Sequence, residues 1–166
     1  MKKIVSGGQT GADRAALAWA IENGLEHGGW CPKGRKAADG VIPMCYQLQE
    51  TESEGYRQRN KMNVVTSDGT LIFNLGPLDG GTLATVRFGQ LMKKPHQVCQ
   101  LDEVDMTTSG AFVAEWMTRE QIGVLNVAGP REEKRPGIGR LVWDFLDCVK
   151  EHNQSINSIV QRGSQE

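Results

Sequence analysis

The stretch SGGQTGADRAAL, Ser6 to Leu17, constrains the chain most. A short apolar run, Ile4-Val5, precedes it, and an alanine-rich segment of helical composition, Ala12 to Ile21, follows. Strand, glycine turn and helix in that order make a βα unit. The first free N–H groups of its helix favour negative charge in the turn. Gly7, Gly8 and Gly11 allow a sharp turn and a close approach to a ligand, and Thr10 reads as the N-cap. Gln9 adds an amide that donates and accepts, and Asp13 and Arg14 fall in the first helical turn.

The same arrangement recurs. Leu71–Leu75 (LIFNL) reads as a buried parallel strand, GPLDGGT as its turn, and 82–93 as a helix. Gly80, Gly81 and Thr82 would place backbone donors at that helix's N-terminus. Gln97–Leu101 and Val124–Val127 read as further strands and 107–121 as a helix, with Ser109 its cap and Phe112, Val113, Trp116 and Met117 buried. The closing helix carries Ile138, Leu141, Val142, Phe145, Leu146 and Val149 at i, i+3, i+4 spacing. Glu52–Val64 is a polar helix whose Tyr56, Arg59, Asn60 and Asn63 share one face, and the default for such a face is solvent.

Strands alternating with helices imply an α/β fold: a single Rossmann-like domain, residues 1–152, with a mainly parallel sheet flanked by helices on both faces. Residues 153–166 form a polar tail expected to fray. Ligands of such sheets bind outside the carboxyl ends of the strands. Three glycine-rich loops, 7–11, 76–82 and 128–137, fall at that edge.

The donors there are mostly cationic. Arg14 belongs to the first loop and Arg131, Lys134 and Arg135 to the last, while Lys33 and Arg35 can join from the basic, glycine-rich loop 27–40. Guanidinium forks and helix N-termini both suit phosphate, so the inventory points to a small phosphorylated molecule. Asp13, Asp68 and Glu132 can orient an arginine, accept from a ligand N–H, or simply cap and solvate.

Composition narrows the class further. The 166 residues carry a formal net charge of −1, which argues against a general nucleic-acid binder. No apolar run approaches a membrane span and no signal-peptide pattern opens the chain, so a cytoplasmic protein is expected. Cys31, Cys45, Cys99 and Cys148 lack metal or redox spacing, and His27, His96 and His152 are scattered, so no protein-bound metal is expected. Cys31 reads as structural. There is no Ser-His-Asp set, Walker lysine or cysteine with an evident base.

SGGQTGADRAAL, HGGWCPKGR, SDGTLIF, GGT and LNVAGPRE occur in this order over nearly the whole chain. Together they resemble the molybdenum cofactor carrier family, within the Rossmann-like superfamily that includes the lysine decarboxylase-like phosphoribohydrolases and the DNA-processing protein DprA. The resemblance implies a homo-oligomer that binds the phosphorylated pterin of the molybdenum cofactor (molybdopterin), protects it and hands it to apo-enzymes. Carried over by motif, the site comprises Gly7, Gly8, Gln9, Thr10 and Gly11 with Asp13 and Arg14, then Gly80, Gly81 and Thr82. Ser67, Asp68 and Thr70, with Gly129, Pro130, Arg131 and Glu132, complete it. The phosphoribohydrolases carry PGGxGTxxE. Setting Gly81-Thr82 on its GT puts Thr85 in place of the catalytic glutamate, so binding without chemistry is expected. An enzyme or sensor acting on a nucleoside monophosphate remains the alternative.

Overall fold

The computed structural model describes residues 1–163, with side chains described through Ser155. Its elements are β1 (Lys3–Val5), α1 (Ala12–Glu22), β2 (Glu26–Gly28), β3 (Trp30–Cys31), β4 (Lys36–Ala37), β5 (Gly40–Val41), β6 (Gln49–Glu50), α2 (Tyr56–Val65), β7 (Gly69–Asn74), α3 (Gly80–Leu91), β8 (His96–Gln100), α4 (Met106–Arg119), β9 (Val124–Ala128) and α5 (Ile138–Gly163). Of the tail 153–166, the backbone to Gly163 belongs to α5, and residues 164–166 lie outside the described residues.

Five strands form one sheet in the order β2-β1-β9-β7-β8, all parallel. Right-handed crossovers explain where the helices lie. The chain steps one way from β1 to β2 and the other way from β7 to β8, so α1 and α3 fall on opposite faces. The return from β8 to β9 puts α4 on the α1 side, where both α1 and α4 pack on α5, while α2 and α3 pair across the sheet. This is the Rossmann-like α/β architecture, with helices on both faces.

Period two explains the lining of β7, which is buried along its whole length. Leu71 and Phe73 join the core made with α1, α4 and α5, and Phe73 meets Phe145 edge-to-face, with ring centroids 5.2 Å apart. Trp19, Trp116, Leu125 and Val142 complete that layer. The last strand in sequence, β9, is the middle strand in space. Its successor loop therefore rises between those of β1 and β7.

Several sequence expectations change. The N-cap of α1 is Gly11 (φ 79°), without a side-chain cap, and Thr10 instead donates to Glu133 Oε2 at 2.6 Å. Asp105, not Ser109, caps α4 by accepting from Thr108 N–H at 2.8 Å. Phe112 is half exposed, whereas Val113, Trp116 and Met117 are buried. The loop 27–40 contains the short strands β3 and β4, the end of β2, the start of β5 and a 3₁₀ turn, 33–35. There Cys31 is buried with Ala37 and Ile42, and burial pushes its thiol up, as an inert structural cysteine requires.

Candidate functional site

A cleft of about 240 Å³ opens at the carboxyl ends of the central strands. The loops after β1, β7 and β9 meet there, and α2 closes one side. Its lining includes Gln9 and Asp13 from the first unit, Gly80, Gly81, Thr82 and Thr85 from α3, and Gly129, Pro130, Arg131 and Lys134 from the last loop. Tyr56, Arg59 and Asn60 of α2 complete it. The volume lies just under the roughly 300–1,000 Å³ of sites that engulf drug-sized ligands, so it suits one end of a cofactor-sized molecule.

The two helix N-termini at the cleft differ. At α1 the described residues supply acceptors for most of the turn, the N–H groups of Gly11 and Asp13 excepted. Gln9 N–H faces Asp13 Oδ2 at 3.4 Å, Thr10 N–H donates to Gln9 Oε1 at 2.9 Å, and Ala12 N–H donates to Pro130 O at 3.2 Å. Gln9 Oε1 also accepts from Ala38 N–H at 2.8 Å. At α3 the N-cap Asp79 makes no side-chain cap, and the first intrahelical bond is Leu83 N–H to Asp79 O. Gly80, Gly81 and Thr82 therefore present N–H groups with no acceptor among the described residues, as the first turn of a helix must.

The glycines of the first loop serve protein packing. A Cβ on Gly8 (φ +74°) would lie 2.6 Å from Leu48 Cδ1 and 3.0 Å from Ile42 Cδ1. One on Gly11 would meet Pro130 O and Glu132 N, each at 2.6 Å. The expected close approach is real, but chain approaches chain there.

The cations divide likewise. Arg131 is exposed at the cleft, and Lys134 lines it while paired with Asp79. The hydrogen bond from Lys134 holds Asp79 below the usual carboxylate range, and the Thr10 hydroxyl does the same for Glu133. Arg135 donates to the Leu75 and Pro77 carbonyls and ties the loop after β7 to the loop after β9. Arg14 holds Gly8 O at 3.0 Å and pairs with Asp39, away from the cleft lining.

Other expected site residues are placed elsewhere. Arg35 is buried, and its guanidinium donates to the carbonyls of Ile42, Pro43, Tyr46 and Leu48, so it organises loop 35–48. Lys33 is exposed and outside the cleft lining. Ser67, Asp68 and Thr70 sit at the amino end of β7, the opposite edge of the sheet. Ser67 Oγ donates to Val64 O, Asp68 Oδ2 accepts from Gly123 and Val124 N–H, and Thr70 Oγ1 accepts from Asn126 Nδ2. Glu132 accepts from Gly137 and Gly139 N–H at the start of α5. All four answer demands of the local backbone or sheet.

Sequence reasoning missed the polar face of α2. Arg59, Asn60 and Asn63 are buried, not solvated. Asn63 accepts from Trp30 N–H at 2.8 Å and donates to Trp30 O at 2.9 Å, so its amide acts as a strand partner for loop 27–40. Arg59 Nη1 lies 2.6 Å from Asp13 Oδ2 inside the cleft. The available signal was an arginine and two asparagines at helical spacing, more hydrogen-bonding specificity than solvation demands. Thr85, where the relatives' glutamate would fall, is buried and donates to Gly81 O at 3.0 Å within α3. Asp13 is the one carboxylate among the described residues lining the cleft.

Fold and cleft together define a single-domain, Rossmann-like α/β protein with its pocket at the carboxyl edge of a parallel sheet. The chain belongs to the Circularly permutated YpsA SLOG family, which it matches over residues 4–150. Among solved structures it is similar to one from Syntrophus aciditrophicus SB named as a putative molybdenum carrier protein. The two share 44% identity with a TM-score of 0.88, over 90% of this chain and 94% of that one. The chain therefore falls in the same Rossmann-like carrier family, in agreement with the motif resemblance. No curated protein matches the sequence. Among the described residues no helix is long and apolar enough to cross a membrane, and no His, Cys, Asp and Glu side chains cluster as a metal site.

Proposed function

We propose that this protein binds the phosphorylated pterin of the molybdenum cofactor in the central cleft and carries it to apo-enzymes, without transforming it. The observation that carries the reading is the open N-terminus of α3, three unpaired N–H groups at 80–82, in a cleft that also holds Arg59, Arg131 and Lys134. Such a set of fixed donors stabilises a phosphate without a metal ligand. The name of the 44% identical relative supports the choice of cargo.

Absence of chemistry is part of the proposal, and it rests on the carboxylates. Thr85 offers no general base, Asp13 is tied to Arg59, and Glu132 is tied to the α5 N-terminus. Any molybdenum arrives as part of the ligand. We also propose that the protein works as a cytoplasmic homo-oligomer.

Native mass spectrometry on protein purified without air tests the reading. The expected result is a bound mass matching a molybdopterin-type compound. A bound nucleoside monophosphate, together with turnover of it, would overturn the carrier assignment in favour of an enzyme.

A further inference from the structure

Arg59 and Asp13 form an ion pair within the cleft; the Asp13 side chain is 2% exposed and that of Arg59 11%. A buried guanidinium is expensive unless its donors find partners. Here the pairing is incomplete. Nη1 faces Asp13 Oδ2, whereas Nε is fully buried with no partner. Nη2 also has none among the described residues. One donor of the planar fork is satisfied, and its other two nitrogens, the buried Nε and Nη2, have no partner among the described residues, in a side chain that lines the cleft.

A second observation comes from Gly7. It lacks the positive φ of Gly8 and Gly11, so backbone conformation does not require glycine there. A Cβ on Gly7 would lie 1.5 Å from Arg59 Nη1 and 2.8 Å from Nε. Gly7 is thus the floor on which the guanidinium rests. The first loop, helix α2 and the N-terminus of α1 cooperate to hold one arginine in place.

We infer that Arg59 is the phosphate-reading residue of the cleft, with Asp13 as the carboxylate that holds it, and that the ligand class is a phosphate monoester. The inference rests on the proposed phosphorylated ligand of this cleft. A monoester has three terminal oxygens, enough to meet the α3 amides and the unsatisfied edge of the Arg59 fork at once. Asp13 neutralises Arg59 and Asp79 neutralises Lys134, which leaves Arg131 and the α3 dipole for the added anion. A lysine at 59 would keep the charge and the Asp13 pairing but lose the planar fork.

Calorimetric titration of the full chain tests this with two pairs of probes: AMP against adenosine, and a 6-hydroxymethylpterin phosphate against 6-hydroxymethylpterin. Arg59→Lys is expected to weaken the phosphate esters about thirtyfold, the range for charge-assisted hydrogen bonds, and leave the dephosphorylated probes unchanged. Gly7→Ala, by displacing the guanidinium, should reproduce that selective loss, and the double variant should lose no more than either alone. An NMR readout needs no variant to fold. In the wild-type protein the Arg59 Nε–H resonance should shift with AMP or the pterin phosphate, and stay in place with the dephosphorylated forms.

Wild-type affinity for phosphate esters in Arg59→Lys, or an equal loss for both members of a pair, would overturn the inference while the phosphorylated-ligand reading stood. An unmoved Nε–H with phosphate bound would do the same. A wild-type protein that bound neither ester more tightly than its dephosphorylated form would overturn the proposed function and this inference with it. Selective binding of AMP alone would keep Arg59 in its role and remove the pterin as cargo.

Discussion

The loop after β1 and the loop after β7 share a plan of strand, glycine turn and helix N-terminus, yet they do opposite work. In the first, Asp13 and Gln9 take up the loop N–H groups of Gln9 and Thr10, Pro130 and Gln9 carbonyls take up those of Ala12 and Arg14, and the glycines admit Arg59, the side chains of Ile42 and Leu48, and the loop after β9. In the second, the donors at 80–82 stay unpaired and face the cleft, and a Cβ on Gly81 would meet only Asn60 Nδ2, at 3.6 Å. Glycine in a βα turn therefore reports a close approach without saying whether the visitor is a ligand or the protein itself. The first loop builds the scaffold that holds Arg59, and the second offers the contact surface.

Gly11→Ala should break the scaffold with the largest effect. Its Cβ would collide with backbone at 2.6 Å in a left-handed conformation, and neither neighbour can step aside. A loss of about 3 kcal/mol, roughly 10 °C in melting temperature, is expected by thermal denaturation. Unchanged stability with lost ligand binding would reverse the roles assigned to the two loops.

Gly81→Ala should do the converse. Stability should stay within about 0.5 kcal/mol, because alanine suits a helix and only an ordinary contact awaits its methyl group. Phosphate-ester affinity should fall about tenfold, since the methyl group occupies the space where a ligand approaches the backbone. Destabilisation as large as that of Gly11→Ala would erase the difference between the loops.

The smallest effect concerns the exposed carboxylates that tie the loops together. Asp79 and Glu133 are both held below their ordinary values of 3.8 and 4.5, by Lys134 and the Thr10 hydroxyl respectively. A depressed carboxylate contributes stability that is complete above its ordinary value and lost as pH falls through the lowered one. Stability should thus be insensitive to these groups from pH 7 to 5 and decline below pH 4.5. The double variant Asp79→Asn, Glu133→Gln should show a shallower acid limb in urea melts at pH 3 to 4. Full overlap of the two curves would show that these surface contacts carry no stability.

Much of the architecture was legible in the sequence. Apolar runs of strand length, separated by helical periods, fix an alternating α/β order, and right-handed connection then leaves little freedom in the placement of the helices. That loops 7–11, 76–82 and 128–137 fall at one edge followed from the shared direction of the strands; that they meet depends on β9 lying between β1 and β7. The errors lay where one residue type serves two purposes. Ser67 and Asp68 fall in a motif beside a strand, but the motif precedes β7 and so lies at the wrong end of a parallel sheet. Arg35 reads as a free cation because nothing local reveals the four carbonyls that fold back around it.

The sequence by itself determined the sheet, the edge on which a ligand could sit and the donor-rich character of that edge. These depend on period, chain direction and residue chemistry, all local properties. Only the tertiary structure decided which donors remain available. Helical spacing puts Tyr56, Arg59, Asn60 and Asn63 on one face, but spacing is the same whether that face meets water or protein. The pairing of Arg59 with Asp13, 46 residues earlier, exists only because α2 packs over the β1 loop. Burial then turns what would have been a solvated arginine into a fixed, half-satisfied guanidinium, because a charge removed from water must find its partners inside the fold.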